Sequence, residues 1–157
     1  MVEVGEREGC AMAVRSDRRY RFAANRREVW QAFTQVDQYR AWWPWLHRFE
    51  GAAFRTGERW ECAVKPQMPY TLEFAIVLDE VVAETSTHAR LSGDIAGWAA
   101  LTLADEGTGS QLRLESELTA RSGPARWLDV VAPPLARRGH DWILDNGIRQ
   151  FRAATGV

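Results

Sequence analysis

The stretch GPARWLDVVAPPLARRGHDWILDNGIRQFRAATGV, residues 123–157, decides how the rest of the chain is read. It has the pattern of one long amphipathic helix, interrupted near its start by Pro133 and Pro134. Projected at about 100° per residue from Leu135, Arg137, Arg138, Asp141, Asp145, Arg149 and Arg152 share one arc. Leu135, Gly139, Trp142, Ile143 and Gly147 fall on the other. That apolar arc also carries Asn146, Gln150 and, at its edge with Phe151, His140. This is more polarity than a closed core takes without partners. The helix must therefore face something apolar, but not wholly apolar.

Upstream, Leu46 to Leu118 reads as strands separated by turn signals, as in an antiparallel meander. Trp60, Cys62 and Val64 alternate with Arg59, Glu61 and Lys65. Leu72, Phe74, Ile76 and Leu78 alternate with Glu73 and Asp79, and another strand runs through His88 to Ser92. After the glycine-bounded turn Gly93 to Gly97, Leu101 and Leu103 share one face, with Trp98 on the opposite parity. Leu112, Leu114 and Leu118 follow the turn Gly107-Thr108-Gly109 and alternate with Arg113, Glu115 and Glu117. Each strand has one wet side, so the other face needs a cover. The only long helix available is the C-terminal one.

Before the meander, Tyr20 and Phe22 alternate with Arg19 and Arg21 as in a half-buried strand. Asn25 with Glu28 forms a capping-box pair opening a helix buried through Val29, Trp30 and Phe33. Asp37 is expected to cap a second short helix through Tyr39, Trp42 and Trp43, which Pro44 stops. Residues 1–17 lack periodicity and are read as a loose N-terminal segment, with Met1 or Met12 as the start; residues 18–157 form one domain. The arginines at 15, 18, 19, 21, 26 and 27 are read as solvated sides of the strand and helix, ahead of an anion-binding patch. The element order is that of an α+β helix-grip fold, with about 6–7 strands and two short helices after the first.

The chain has 157 residues, enough for one domain with a substantial core. Its formal net charge of -1 removes the usual electrostatic case for nucleic-acid binding. With only Cys10 and Cys62, no apolar run of about 20 residues and no secretory leader pattern, the expectation is a cytoplasmic chain without stable membrane insertion. Nothing in the sequence specifies an oligomer.

His47, His88 and His140 lie on separate elements without metal-type spacing, and neither a metal nor a cofactor is expected. No nucleophile elbow or phosphate-cradling loop is present. Cys62 reads as a small buried hydrophobe rather than a nucleophile. His140 has two readings: general acid or base on a substrate held against the helix, or a hydrogen-bonded fixture of the helix. Asn146 and Gln150 either orient a ligand or tie the helix to backbone groups. Trp42, Trp43 and Trp45 form a plug at one end of the sheet or the mouth of a pocket. Asp94 is read as a turn residue bonding its own backbone, with a rim carboxylate as the alternative.

Several residues also carry a resemblance. Val29-Trp30, Tyr39 followed by Trp42-Trp43-Pro44, Gly93-Asp94 with Gly97, Gly107-Thr108, and His140 with Asn146-Gly147 stand in an order that resembles the polyketide cyclase/dehydrase branch of the START-like (SRPBCC) superfamily. The similarity runs from about Tyr20 to Ala154. It implies a curved sheet wrapped around the C-terminal helix, with a cavity between them for a lipophilic small molecule. It implies no single reaction, because the superfamily mixes carriers, receptors, aromatases and cyclases.

The inward positions from Trp60 to Leu114 hold no ionisable side chain except Cys62, which suits holding a ligand better than transforming one. The function expected is binding of a polyketide, isoprenoid, quinone or lipid-like molecule. Trp43, Trp60, Phe74, Leu101, Leu112, Trp142, Asn146 and Gln150 are the expected contacts. The alternative is a polyketide aromatase/cyclase or dehydratase using His140 as general acid/base.

Overall fold

The computed structural model describes residues 13–66, 70–123 and 133–157. In chain order the elements are β1 (Val14–Phe22), α1 (Arg26–Phe33), a 3-10 turn (Val36–Gln38), α2 (Tyr39–Trp42), β2 (Leu46–Glu50), β3 (Arg59–Val64), β4 (Leu72–Val82), β5 (Ser86–Gly93), β6 (Ile95–Glu106), β7 (Gly109–Ala120) and α3 (Pro133–Thr155). The strands form one seven-stranded sheet in the order β1-β7-β6-β5-β4-β3-β2. Every pairing is antiparallel, and only β1 leaves the meander order, lying against β7 with Tyr20 opposite Leu112. This is the helix-grip arrangement expected: a curled antiparallel sheet, two short helices after β1 and a long terminal helix.

Local features bend the sheet. Register shifts interrupt β2 between Leu46 and Arg48 and β4 between Leu78 and Glu80, and such bulges increase strand twist and bend. At Gly97 the backbone has φ 146°, and a Cβ there would collide with the Glu117 carbonyl oxygen on β7. Only glycine allows β6 that close to its neighbour.

α1 begins as expected: Asn25 accepts from the Glu28 backbone N–H, and the Glu28 carboxylate accepts from the Asn25 N–H. The cap expected at Asp37 is not formed. Asp37 lies inside the 3-10 turn and accepts from the Gln38 side chain, and α2 starts after Gln38 with no side-chain cap. Gln35 and Gln38 hold the two N-cap positions, so Asp37 lies where no cap can form. Trp43, preceding Pro44, leaves the helical region with φ -121° and ψ 89°.

β1 starts at Val14, inside the segment expected to be loose, and Val14 to Asp17 pair with Leu118 to Glu115. Polar residues at inward positions hid this. Ser16 and Arg18 share parity with Tyr20 and Phe22, so the apolar alternation becomes visible only at Tyr20. Arg18 reaches Asp141 at 3.2 Å and Asp145 at 3.5 Å on α3, and Tyr20 donates its hydroxyl to Asp145 at 2.8 Å. Two of the outward arginines meet carboxylates of the same fold: Arg15 with Glu117 at 3.2 Å, Arg21 with Glu106 at 3.1 Å. Cys10 and both candidate start residues lie outside the described residues.

Pro133 and Pro134 are the first residues of α3, where a missing N–H costs little; the interruption expected there falls against undescribed residues. The part of the expected helix over 124–132 lies outside the described residues. The C-terminal half of α3 is packed solidly. Ile148 and Phe151 are buried with Phe22, Val29, Phe33, Leu103 and Leu112, and the Phe151 ring stacks on Phe33 at 4.1 Å. A second cluster joins Tyr39 and Leu46 to the inward residues of β3, β4 and β5.

Candidate functional site

Between these clusters, under the N-terminal half of α3, the inner face of the sheet encloses a cavity of about 400 Å³. Trp60, Cys62 and Val64 of β3 and Leu72, Phe74 and Ile76 of β4 form one wall; Ala99 and Leu101 of β6 with Ser116 and Leu118 of β7 form another. Gly139, His140, Ile143 and Leu144 of α3 form the roof, and Tyr39, Trp43 and Trp45 close one end. The alternation of each strand produces this, because inward side chains at every second residue turn a curved sheet into an apolar bowl. Among the described residues that line it there is no Asp, Glu, Lys or Arg.

Most polar atoms on the aromatic lining are already used. Trp43 Nε1 donates to the Gly147 carbonyl at 2.9 Å, Trp45 Nε1 to Gln150 Oε1 at 2.8 Å and Trp60 Nε1 to the Ala53 carbonyl at 3.0 Å. The Tyr39 hydroxyl donates to the Phe33 carbonyl, and burial raises its pKa. Burial, with the Glu61 carboxylate nearby, pushes the Cys62 thiol up to about 12, so it stays protonated and behaves as an apolar wall residue.

The polar points of the cavity are the half-buried Tyr70 hydroxyl and the pair Ser116 with His140, whose Oγ and Nε2 lie 3.5 Å apart, at the outer limit of a hydrogen bond. His140 Nδ1 is buried without a hydrogen-bond partner; the Asp141 carboxylate stands 3.9 Å away, within ion-pair reach only. Burial holds the imidazole pKa below its ordinary value, with Arg137 and Arg18 acting in the same direction and Asp141 against them. The ring is therefore neutral at pH 7 and offers one donor and one acceptor.

The structure brings some of the expected contacts together and places others elsewhere. Trp43, Trp60, Phe74, Leu101 and His140 line the cavity. Leu112 is fully buried in the solid cluster under α1, and Trp142 is half-buried outside the lining. Asn146 is turned along its own helix, donating to the Trp142 carbonyl at 3.0 Å and accepting from Arg149. Gln150 lies away from the cavity, holding Trp45.

Ser116 was not singled out from sequence, although its parity with Leu112, Leu114 and Leu118 marks it as inward. Asp94 does not bond its own backbone. Its carboxylate accepts from the Glu73 N–H and the Ser122 hydroxyl, both at 2.9 Å, stapling β4 to the chain leaving β7. His47 and His88 are exposed, and among the described residues no three His, Cys, Asp or Glu side chains converge as metal ligands. No helix among the described residues is long and apolar enough to cross a membrane.

No family model matches the chain, and no curated protein matches it in sequence. Solved structures do match in fold. A START superfamily protein from Mycobacterium smegmatis superposes with a TM-score of 0.71 at 12% identity, over 90% of this chain and 97% of that one. Ara h 8.0201 gives 0.69 at 9% identity, over 91% and 97%. The Zhui aromatase/cyclase from Streptomyces sp. R1128 gives 0.68 at 15% identity, over 92% of each chain. At these identities what is shared is the START-like helix-grip fold.

Proposed function

We propose that this protein holds a lipophilic small molecule, of polyketide, isoprenoid, quinone or lipid-like character, between the sheet and the N-terminal half of α3. The observation that carries this reading is the cavity of about 400 Å³ whose described lining is apolar and aromatic, with no carboxylate, lysine or arginine among the described residues. Its volume lies in the range of small-molecule sites, and apolar walls with few polar points are what such sites use. The resemblance to the polyketide cyclase/dehydrase branch and the shared START-like fold support the same reading. Native mass spectrometry of protein purified from its own host tests it: a co-purifying lipophile is expected. A protein that emerges empty and takes up no naphthalene-sized probe would sink the proposal.

The second reading is an aromatase/cyclase or dehydratase in which His140 moves the proton. A neutral imidazole on the cavity wall favours it, since a general base must be unprotonated and within reach of substrate. Against it, Asn146 and Gln150 are committed outside the cavity, and no charged donor stands where an enolate would form. His140→Gln separates the two. Turnover lost with ligand affinity retained identifies an enzyme, whereas a protein with no turnover to lose is a carrier.

A further inference from the structure

We infer that the cavity selects neutral molecules bearing a hydroxyl or carbonyl oxygen, read jointly by Ser116 Oγ and His140 Nε2, and rejects carboxylates of the same shape. The inference rests on the ligand-holding reading above and narrows the class of ligand.

The first support is charge. A carboxylate entering the cavity sheds its water and meets no cation among the described residues of the lining. Among the described residues, the two arginines whose charge acts on His140 are engaged elsewhere. Arg18 of β1 is paired with Asp141 and Asp145, and Arg137 of α3 donates to the Arg15 carbonyl. Asp141, the carboxylate closest to the imidazole at 3.9 Å, repels a second anion. A buried anion without a partner is strongly disfavoured.

The second support is hydrogen-bonding capacity. The indole N–H groups of Trp43, Trp45 and Trp60 and the Tyr39 hydroxyl are satisfied by protein acceptors, so they offer a ligand apolar surface, while the half-buried Tyr70 hydroxyl stands on the β3–β4 side of the lining, on a different element from Ser116 and His140. Ser116 and His140 come from opposite walls, β7 and α3, and their 3.5 Å separation leaves both weakly satisfied. A serine hydroxyl donates and accepts, and a neutral imidazole does one at each nitrogen. An oxygen set beside the pair, about 2.8 Å from each atom, gains two better hydrogen bonds in a site of low polarity. A hydrocarbon of equal size gains none.

The test compares naphthalene, 1-naphthol and 1-naphthoate at pH 8 by intrinsic fluorescence titration on the whole protein. 1-Naphthol is expected to bind about tenfold more tightly than naphthalene, the yield of one to two net hydrogen bonds. 1-Naphthoate is expected to bind at least about tenfold more weakly than naphthalene, because its charge is desolvated unpaired. In Ser116→Ala and His140→Phe the naphthol-to-naphthalene affinity ratio should fall towards one.

Naphthol and naphthalene binding equally to the unsubstituted protein, or naphthoate binding as well as naphthol, overturns the inference while leaving the ligand-holding reading intact. Failure of both naphthalene and naphthol to bind overturns that reading and the inference with it. The ligand ranking is measured on the unsubstituted protein, so it decides even if a variant fails to fold.

Discussion

Trp45 donates its indole N–H to Gln150 Oε1 across 2.8 Å, joining the approach to β2 to the last third of α3 over 105 positions of sequence. Trp43 makes the parallel bond to the Gly147 carbonyl at 2.9 Å, and the two indoles stack with centroids 5.7 Å apart. The end of the cavity is therefore fixed to the helix by side chains whose polar tips point away from the ligand space.

This pairing sets a coupling. Trp45→Phe strands a half-buried amide oxygen, and Gln150→Met strands an indole N–H; each should cost about 1–2 kcal/mol of stability. The double variant should cost less than the sum, because neither orphan remains. Urea unfolding of the four proteins checks this, and strict additivity would mean that the bond contributes nothing.

Gly147 sits beneath the same indoles, and a Cβ there would meet Trp45 Cζ2 at 3.5 Å and Trp43 Nε1 at 3.9 Å, both ordinary contacts. Glycine within a helix is destabilising relative to alanine, so Gly147→Ala should stabilise the protein by about 0.5–1 kcal/mol. Gly147→Leu should instead drive the indoles off the helix and lower the melting temperature. A Gly147→Ala protein less stable than its parent would show that the indole contact has no slack.

Periodicity made the fold legible, and it also set the limit on the site. The inward residues of β3 and β4 were visible because charged residues alternate with apolar ones there, and Leu101 and Leu103 of β6 because they recur at every second position. Ser116 was hidden because a serine at an inward position reads as polar, although parity with Leu114 and Leu118 placed it. Arg18 and Ser16 concealed the start of β1 in the same way.

On α3, a helical projection shows which side is buried but not what lies against each turn. His140 and Ile143 face the cavity, Ile148 and Phe151 face a solid core, and Gln150 faces Trp45. That difference depends on which strands lie under which turn, and long-range pairing decides it.

His140 should give the fold a pH dependence of definite sign. Burial lowers its pKa in the folded protein, so in the window between that lowered value and the unfolded value of about 6.5 the unfolded chain binds more protons. Stability then rises with pH through that window and is lost as pH falls through it. Arg137 and Arg18 near the ring strengthen the effect, and Asp141 weakens it. Urea midpoints taken from pH 7.5 to pH 5 should decline, and His140→Gln should flatten the decline. An unchanged slope in the variant would assign it to other groups. The Arg-bonded carboxylates Asp17 and Asp79, held below their ordinary values, titrate at lower pH and do not overlap this window.

Filling the cavity tests it most directly. Ala99 lines it and pairs across the β6–β7 ladder with Ser116, so Ala99→Phe projects a ring into the space beside the Ser116–His140 pair. If that space receives a ligand, naphthol affinity should fall by at least about tenfold, equivalent to 1.4 kcal/mol. The added ring occupies open volume rather than packed core, so it should be accommodated at less than the 1–3 kcal/mol that overpacking usually costs, and the melting temperature should hold or rise. Trp98→Tyr, on the outward face of the same strand where Trp98 is 42% exposed, should leave both quantities unchanged. Lost affinity with retained stability in Ala99→Phe locates the ligand between β6 and α3. Retained affinity would place it elsewhere and remove the cavity as the binding site.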